Sequence, residues 1–247
     1  MQSLNTHLVI PAYNESRRIC DFLESLLKEA EKAKFGVKVL VVDDGSEAGD
    51  GQRLADLVFA LSEKHPGRLQ LVKLPANKGK GAAVRHGWDL AENADYIAFI
   101  DADGSVSAKE AFRLLGNLSD GVERCLLGSR IRMLGKTVER TFLRHVNGRI
   151  FSTLVSLITG IAVYDSQCGF KVLPLSAYKK IRHLLKEDRF AFDVELILAL
   201  DRAGFRMEEI PIDWFDVSGS KVSLIRDSVN MFFAVRKITR RAKKWIF

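Results

Sequence analysis

The sequence predicts an α/β fold: a mostly parallel central sheet with helices on both faces, followed by a basic, amphipathic C-terminal helix. Three observations carry this expectation. Short apolar runs alternate with stretches of helical period through the first half of the chain, the pattern of a parallel sheet covered by helices. A polar, acidic or glycine-rich cluster follows each of the first four runs, where the ligand-binding loops of such a sheet stand. The 247 residues, 47% of them hydrophobic, can bury one large core. No repeat, low-complexity tract or linker divides them, so residues 1–247 are read as one domain with 221–247 as a helical tail.

The elements follow in order. Candidate strands are His7–Ile10, Val37–Val42, Leu69–Leu74 and Tyr96–Ile100. Between the first two, Ser16 is placed to cap a helix that carries Ile19, Leu23, Leu26, Leu27 and Ala30 on one face. Leu54, Leu57, Val58 and Leu61 repeat that spacing before the third strand. After the fourth, Ser107 and Glu110 fit a capping box ahead of Ala111, Leu114, Leu115 and Leu118. The second half is less regular: a strand over Arg124–Gly128, a helix over Thr141–Thr159, a helix over Val194–Ala203 stopped by Gly204, a strand over Met207–Ile212 and a terminal helix from about Ser223.

Charge is distributed unevenly. The chain carries a net +7, and the tail alone holds eight cations against Asp227, so the remainder is neutral on balance. A neutral body with a basic end argues against nucleic acid and for local attachment to an anionic surface. In RKITRRAKKWIF the cations alternate with Val235, Ile238, Ala242, Trp245, Ile246 and Phe247, the makeup of an interfacial helix; the plainer alternative packs that stripe on the body. Cys20, Cys125 and Cys168 lack metal-ligand spacing and read as reduced thiols. No signal peptide is seen, and the fifteen uncharged residues from Ile150 to Tyr164 are fewer than the roughly 20 a spanning helix needs. The expected location is cytoplasmic, peripheral on the cytoplasmic face of a membrane touched by the 141–163 region and the tail.

The chemistry concentrates at the loop ends. IAFI runs into Asp101-Ala102-Asp103-Gly104. In extended chain, residues two apart point the same way, and two like charges so placed repel unless a cation lies near both. Mg²⁺ or Mn²⁺ takes one or two carboxylates and fills its other positions with phosphates and water, so the pair suggests a metal-bound diphosphate. The competing reading is a turn in which Asp103 bonds its own backbone. NKGKG supplies complementary charge, with lysines at the start of a helix and glycines that permit close approach.

PAYNE (11–15), VDDGS (42–46), NKGKG (77–81), DADG (101–104), GSR (128–130), DSQCGFK (165–171), FAFDVEL (190–196) and GSK (219–221) follow one another in an order that resembles family 2 glycosyltransferases of the GT-A fold. Within that family the chain most resembles dolichyl-phosphate (polyprenyl-phosphate) β-glucosyltransferases, relatives of the dolichyl-phosphate mannose synthases. The resemblance implies a Rossmann-like central sheet and an inverting transfer of glucose from UDP-glucose. It implies a donor pocket from Pro11, Tyr13, Glu15, Asp43, Asp44, Lys80, Gly81, Asp101, Ala102, Asp103 and Gln167. Asp101 and Asp103 resemble the metal-binding pair, with Asp103 the direct ligand of Mg²⁺ or Mn²⁺. Asp193 and Glu195 correspond to the sugar end of the cleft. Arg130 resembles a phosphate-binding arginine, and Ser220 with Lys221 a loop that closes over phosphates.

The acceptor can be weighed on chemistry alone. Transfer to an alcohol needs a general base, for which Asp193 or Asp165 is the candidate; a phosphomonoester, with a second pKa near 6, arrives already ionised and needs cations instead. Arg130, Arg140, Arg144 and Arg149 fit that need. Together with what the resemblance implies, this gives an expected catalytic set of Asp103, Asp101, Arg130 and Asp193, with Arg130, Arg140, Arg144, Ser220 and Lys221 on the acceptor phosphate. The partners are a nucleotide-sugar donor, a polyprenyl or dolichyl phosphate and a membrane surface. A GDP-mannose-dependent mannosyltransferase and a transferase to a hydroxyl of a glycolipid or polysaccharide are the alternatives. Ser105, two places beyond the acidic pair where mannose synthases tend to carry an amide or acid, favours UDP-glucose.

Overall fold

A computed structural model describes residues 4–118, 123–131, 133–139, 142–217 and 224–246, without the side chains of 142–147 and 224–229. Strands β1 (Asn5–Ala12), β2 (Gly36–Asp43), β3 (Leu69–Lys73), β4 (Tyr96–Ile100), β5 (Arg124–Ser129), β7 (Phe170–Pro174) and β8 (Arg206–Pro211) form one sheet in the order β3-β2-β1-β4-β7-β5-β8. Only β7 runs antiparallel to its neighbours. A short parallel pair, β6 (Val138–Glu139) with β9 (Trp214–Phe215), lies apart.

Alternation along the strands builds a core on each face of the sheet. Leu8, Ile10 and Ala12 of β1 meet α1 (Ile19–Lys32), α2 (Ala48–Lys64) and α4 (Ala108–Leu115) on one face. Val9 faces α3 (Lys80–Asp89), α6 (Leu175–Ile181) and α7 (Phe192–Arg202) on the other. The chain steps outward from β1 to β2 and β3, then returns across β1 to place β4 on its other side. Strand order reverses between β1 and β4, the point at which open α/β sheets bind ligands. PAYNE follows β1 and DADG follows β4, so the two motifs flank that crevice.

Several expectations change here. Ser16 does not cap α1, whose N-cap residue is Arg18 without a side-chain bond; its hydroxyl and N–H instead reach Asp50 of α2 at 2.7 and 3.1 Å. Ser107 does cap α4, accepting the Glu110 N–H at 3.2 Å, but the Glu110 carboxylate goes to Arg113 and Lys136 instead of closing the box. Strand β7 was not foreseen. Its five residues carry a lysine at the second position, and its partners β4 and β5 are distant in sequence.

The tail is corrected most. Helix α8 (Leu224–Ala242) lies against α5 (Phe142–Thr159) and α7. Val235, Ile238 and Ala242, expected on a membrane face, are buried in the body. Phe233 and Ile246 remain exposed. Phe247 lies outside the described residues.

Candidate active site

The loops after β1, β2 and β3 are stitched together by side chains of their own motifs. Asn14 sits at φ 53°, left-handed backbone that asparagine tolerates. There its N–H donates to Ser46 Oγ at 2.8 Å and its Oδ1 accepts the Glu47 N–H at 2.9 Å. Asp43 is fully buried, its Oδ1 accepting the Ser46 N–H at 2.9 Å while Oδ2 has no hydrogen-bond partner among the described residues. Both oxygens of Asp44 accept backbone N–H groups of NKGKG, from Lys78 at 2.9 Å and Gly79 at 2.7 Å. At Gly45, with φ 67°, a Cβ would fall 2.4 Å from the Ala76 carbonyl carbon. The glycine is what lets the two loops touch.

Of the remaining residues after β1, Pro11 is half-buried in the strand and Tyr13 is about a third exposed at the loop. Glu15 makes a bidentate pair with Arg18 at 2.6 and 2.7 Å. Glu15 and the nearby Asp103 charge hold the Arg18 pKa above its ordinary value.

After β4 the two aspartates separate in role. Asp103 Oδ1 accepts the Ser105 N–H at 3.0 Å, the turn contact foreseen as the competing reading; among the described residues no group bonds Oδ2. Ala102 between them is buried. Asp101 Oδ1 instead receives Lys80 Nζ at 2.9 Å, and its N–H bonds the Gly169 carbonyl at 2.9 Å. Burial pushes Asp101 upward, with Lys80 pulling the other way.

Lys80, the first residue of α3, bridges inward. It lies 3.2 Å from Asp193 Oδ2 and 4.7 Å from the centroid of the Phe99 ring. Burial alone would lower its pKa; Asp101 and Asp193 outweigh that and raise it. Asp193, buried on α7, takes Lys171 on its other oxygen. Burial works to raise Asp193, but the two lysines hold its pKa below the usual carboxylate range.

Arg130, after β5, is likewise committed. Its Nε and a terminal nitrogen each lie 2.7 Å from the Asp165 carboxylate, its N–H bonds Asp165 at 3.0 Å, and its guanidinium stands 4.8 Å from the Trp214 ring centroid. Against the opposing effect of burial, Arg130 holds the Asp165 carboxyl down at about 2.

Three expected positions carry contacts that the sequence did not show. Gly81 packs on α7, where a Cβ would fall 2.5 Å from that of Phe192. Among the described residues Gln167 makes long contacts, 3.5 Å to the Phe190 carbonyl and 3.9 Å to Met231 Sδ. Glu195, two residues from Asp193, falls on the opposite side of α7. It accepts the Lys186 and Glu187 N–H groups at 2.8 Å and pairs with Arg241 of α8, which removes it from the sugar end of the cleft. Arg140, Ser220 and Lys221 lie outside the described residues, as does the side chain of Arg144.

Asp103 Oδ2, which accepts no hydrogen bond among the described residues, is an oxygen through which a divalent cation would fit this edge. Among the described residues no three His, Cys, Asp or Glu side chains converge on a metal position. Such an ion would therefore complete its shell from phosphate and water, as Mg²⁺ does.

The family model for glycosyl transferase family 2 matches residues 7–182, which carry the first six of the eight motifs. The chain belongs to that family. This family 2 glycosyltransferase is 32% identical to the dolichyl-phosphate beta-glucosyltransferase of Saccharomyces cerevisiae, over 91% of the chain and 71% of the relative. It is 29% identical to that of Dictyostelium discoideum, over 91% and 70%. Among solved structures it is similar to mannosyl-3-phosphoglycerate synthase from Rubrobacter xylanophilus, with a TM-score of 0.69, 17% identity, and coverage of 96% of this chain and 73% of that one. It is also similar to Mycobacterium tuberculosis glucosyl-3-phosphoglycerate synthase, determined with Mn²⁺, UDP and phosphoglyceric acid, with a TM-score of 0.68, 15% identity, and coverage of 97% and 78%. The transferase thus has the GT-A fold that its motifs implied.

Sequence reasoning missed Lys171, Ser46 and Asp50. Lys171 lay inside the DSQCGFK motif, but nothing in its spacing marked it as a partner for Asp193.

Proposed function

We propose that the chain transfers glucose from UDP-glucose, with inversion, to a dolichyl or polyprenyl phosphate at a membrane surface. The observation that carries this reading is the state of the two carboxylates that could serve as a general base. Asp165 is locked by Arg130, and Asp193 lies between Lys80 and Lys171. Both are held as anions already paired to cations, poor acceptors for a proton. An acceptor that arrives ionised needs neither of them. The names of the relatives from yeast and Dictyostelium support the same acceptor and sugar.

In this reading Asp103 holds the divalent ion, Mg²⁺ or Mn²⁺, and Asp101 keeps Lys80 at the donor's edge. The ion supplies charge stabilisation to the departing nucleoside diphosphate. Pro11, Tyr13, Glu15, Asp43 and Asp44 form the nucleoside side, with Gly81, Ala102 and Gln167 around the diphosphate and sugar. The lipid phosphate attacks the anomeric carbon from the face opposite the leaving group. Arg130, Arg140, Arg144, Ser220 and Lys221 serve the acceptor phosphate, with Arg130 held in place by Asp165.

Attachment to the membrane falls to α5. Ile150, Leu154 and Leu157 recur at helical spacing and are exposed, while Val155 of the same helix is buried against α7 and α8. No described helix is long and apolar enough to cross a membrane. The proposed location is peripheral, on the cytoplasmic face.

Incubation with dolichyl phosphate and either UDP-glucose or GDP-mannose, both radiolabelled, tests the reading. Label is expected in the lipid phase from UDP-glucose, in a form released by mild acid. Incorporation from GDP-mannose alone would overturn the sugar assignment.

A further inference from the structure

Among the described residues Lys171 is the one lysine in the group of largest fully buried side chains, and it lies within the apolar strand β7. Its Nζ bonds the Cys168 carbonyl at 2.8 Å and Asp193 Oδ1, and stands 5.3 Å from the Phe99 ring centroid. Asp193 passes its other oxygen to Lys80, and Lys80 passes on to Asp101. Four charges of alternating sign therefore run from the interior of the sheet to the metal-binding loop. A cation and an anion buried in this way give a fold no more stability than apolar residues of similar volume would. Their use lies at the outer end of the line.

We propose that Lys171 is a positioning residue for the donor. It fixes the Asp193 carboxylate, which anchors Lys80 between Asp193 and Asp101 and so holds one ammonium group beside the diphosphate. Gly169 supports the same arrangement. A Cβ there would fall 2.1 Å from Asp101 Oδ2, so only glycine leaves that carboxylate its place. Arg85, the next cation along α3, is not available for this role because it is bound to the Glu187 carbonyl and Asp188. Without Lys171, Asp193 keeps a single cationic partner, and Lys80 is drawn inward, away from Asp101. Donor binding suffers, and acceptor binding does not.

The inference rests on the proposed glucosyl transfer for its turnover readout, and UDP affinity gives a second readout free of any acceptor. Lys171→Gln keeps hydrogen-bond donors but removes the charge. The variant is expected to fold, with a cooperative melting transition, and to show a donor KM and a UDP–Mg²⁺ Kd raised about 10-fold, with acceptor KM within about twofold of wild type. Lys171→Arg, which restores the charge, is expected to recover much of the donor affinity. A purely structural lysine would lower the active fraction and leave both KM values and the UDP Kd unchanged. That result, or KM values that rise together, overturns the proposal. If Lys171→Gln does not fold, Asp193→Asn removes the same anchor from the other side and must raise the UDP Kd; an unchanged Kd there overturns it equally. Failure of the wild-type protein to transfer glucose would count against the proposed function and not against this inference, because the UDP comparison stands without it.

Discussion

The carboxylates of Asp103, after β4, and Asp165, in the segment between α5 and β7, have opposite fates. Asp103 spends one oxygen on its own turn and, among the described residues, leaves the other unbonded, whereas Asp165 gives both oxygens to Arg130, which stands over the Trp214 ring. An acidic residue at a sheet edge is thus no index of chemistry by itself. What separates ligand from scaffold is whether a cation of the protein has already claimed it.

Mutations should divide along this line. Asp103→Asn removes the open charge and is expected to lower kcat by about 10²–10³-fold with melting temperature unchanged, measured by initial rates and thermal unfolding. An equally large loss of stability would move Asp103 to the scaffold class. Asp165→Ala is expected to act first on stability. It strands the buried Arg130 charge and costs about 3–5 kcal/mol in denaturant unfolding.

The tail offers the same contrast between inner and outer positions. Val235→Asp buries a charge against α5 and α7 and is expected to cost about 3 kcal/mol or more. Phe233→Ser, on the exposed side of α8, should stay within about 0.5 kcal/mol of wild type.

Acid sharpens the comparison further. Asp165 lies at about 2 in the fold against 3.8 when free. Its folded pKa is the depressed one, so its contribution, about 2 kcal/mol, is complete above pH 4 and is lost as pH falls toward 2. Urea unfolding at pH 6 and pH 2.5 should show a loss that is smaller in Asp165→Asn. The smallest effect belongs to the α4 cap, where Ser107→Ala should cost about 1 kcal/mol.

Much of the first half was legible because its information is local. Strand, polar loop and helix follow one another within about thirty residues, and the Ser107 cap needs only its neighbour three residues on. Legibility ends where a partner is remote. Ser16 looked like a cap but found Asp50, 34 residues away. Asp193 looked available until Lys171, from a strand hidden by its own lysine, closed on it. The stripe of Val235, Ile238 and Ala242 was correctly read as apolar, but periodicity does not say whether the apolar side meets lipid or protein. Here it meets α5 and α7. The family motifs supplied the expected site residues that spacing left open, and the geometry then showed which of them are paired within the protein.

The central claim is that the acceptor brings its own negative charge. Radiolabelled UDP-glucose offered to the protein with dolichyl phosphate in one reaction and dolichol in another tests it most directly. Mild-acid-labile labelled lipid from dolichyl phosphate, and none from dolichol, is the expected result. An acid-stable glucoside of dolichol, formed at a rate equal to or above that of the phosphate, would contradict it.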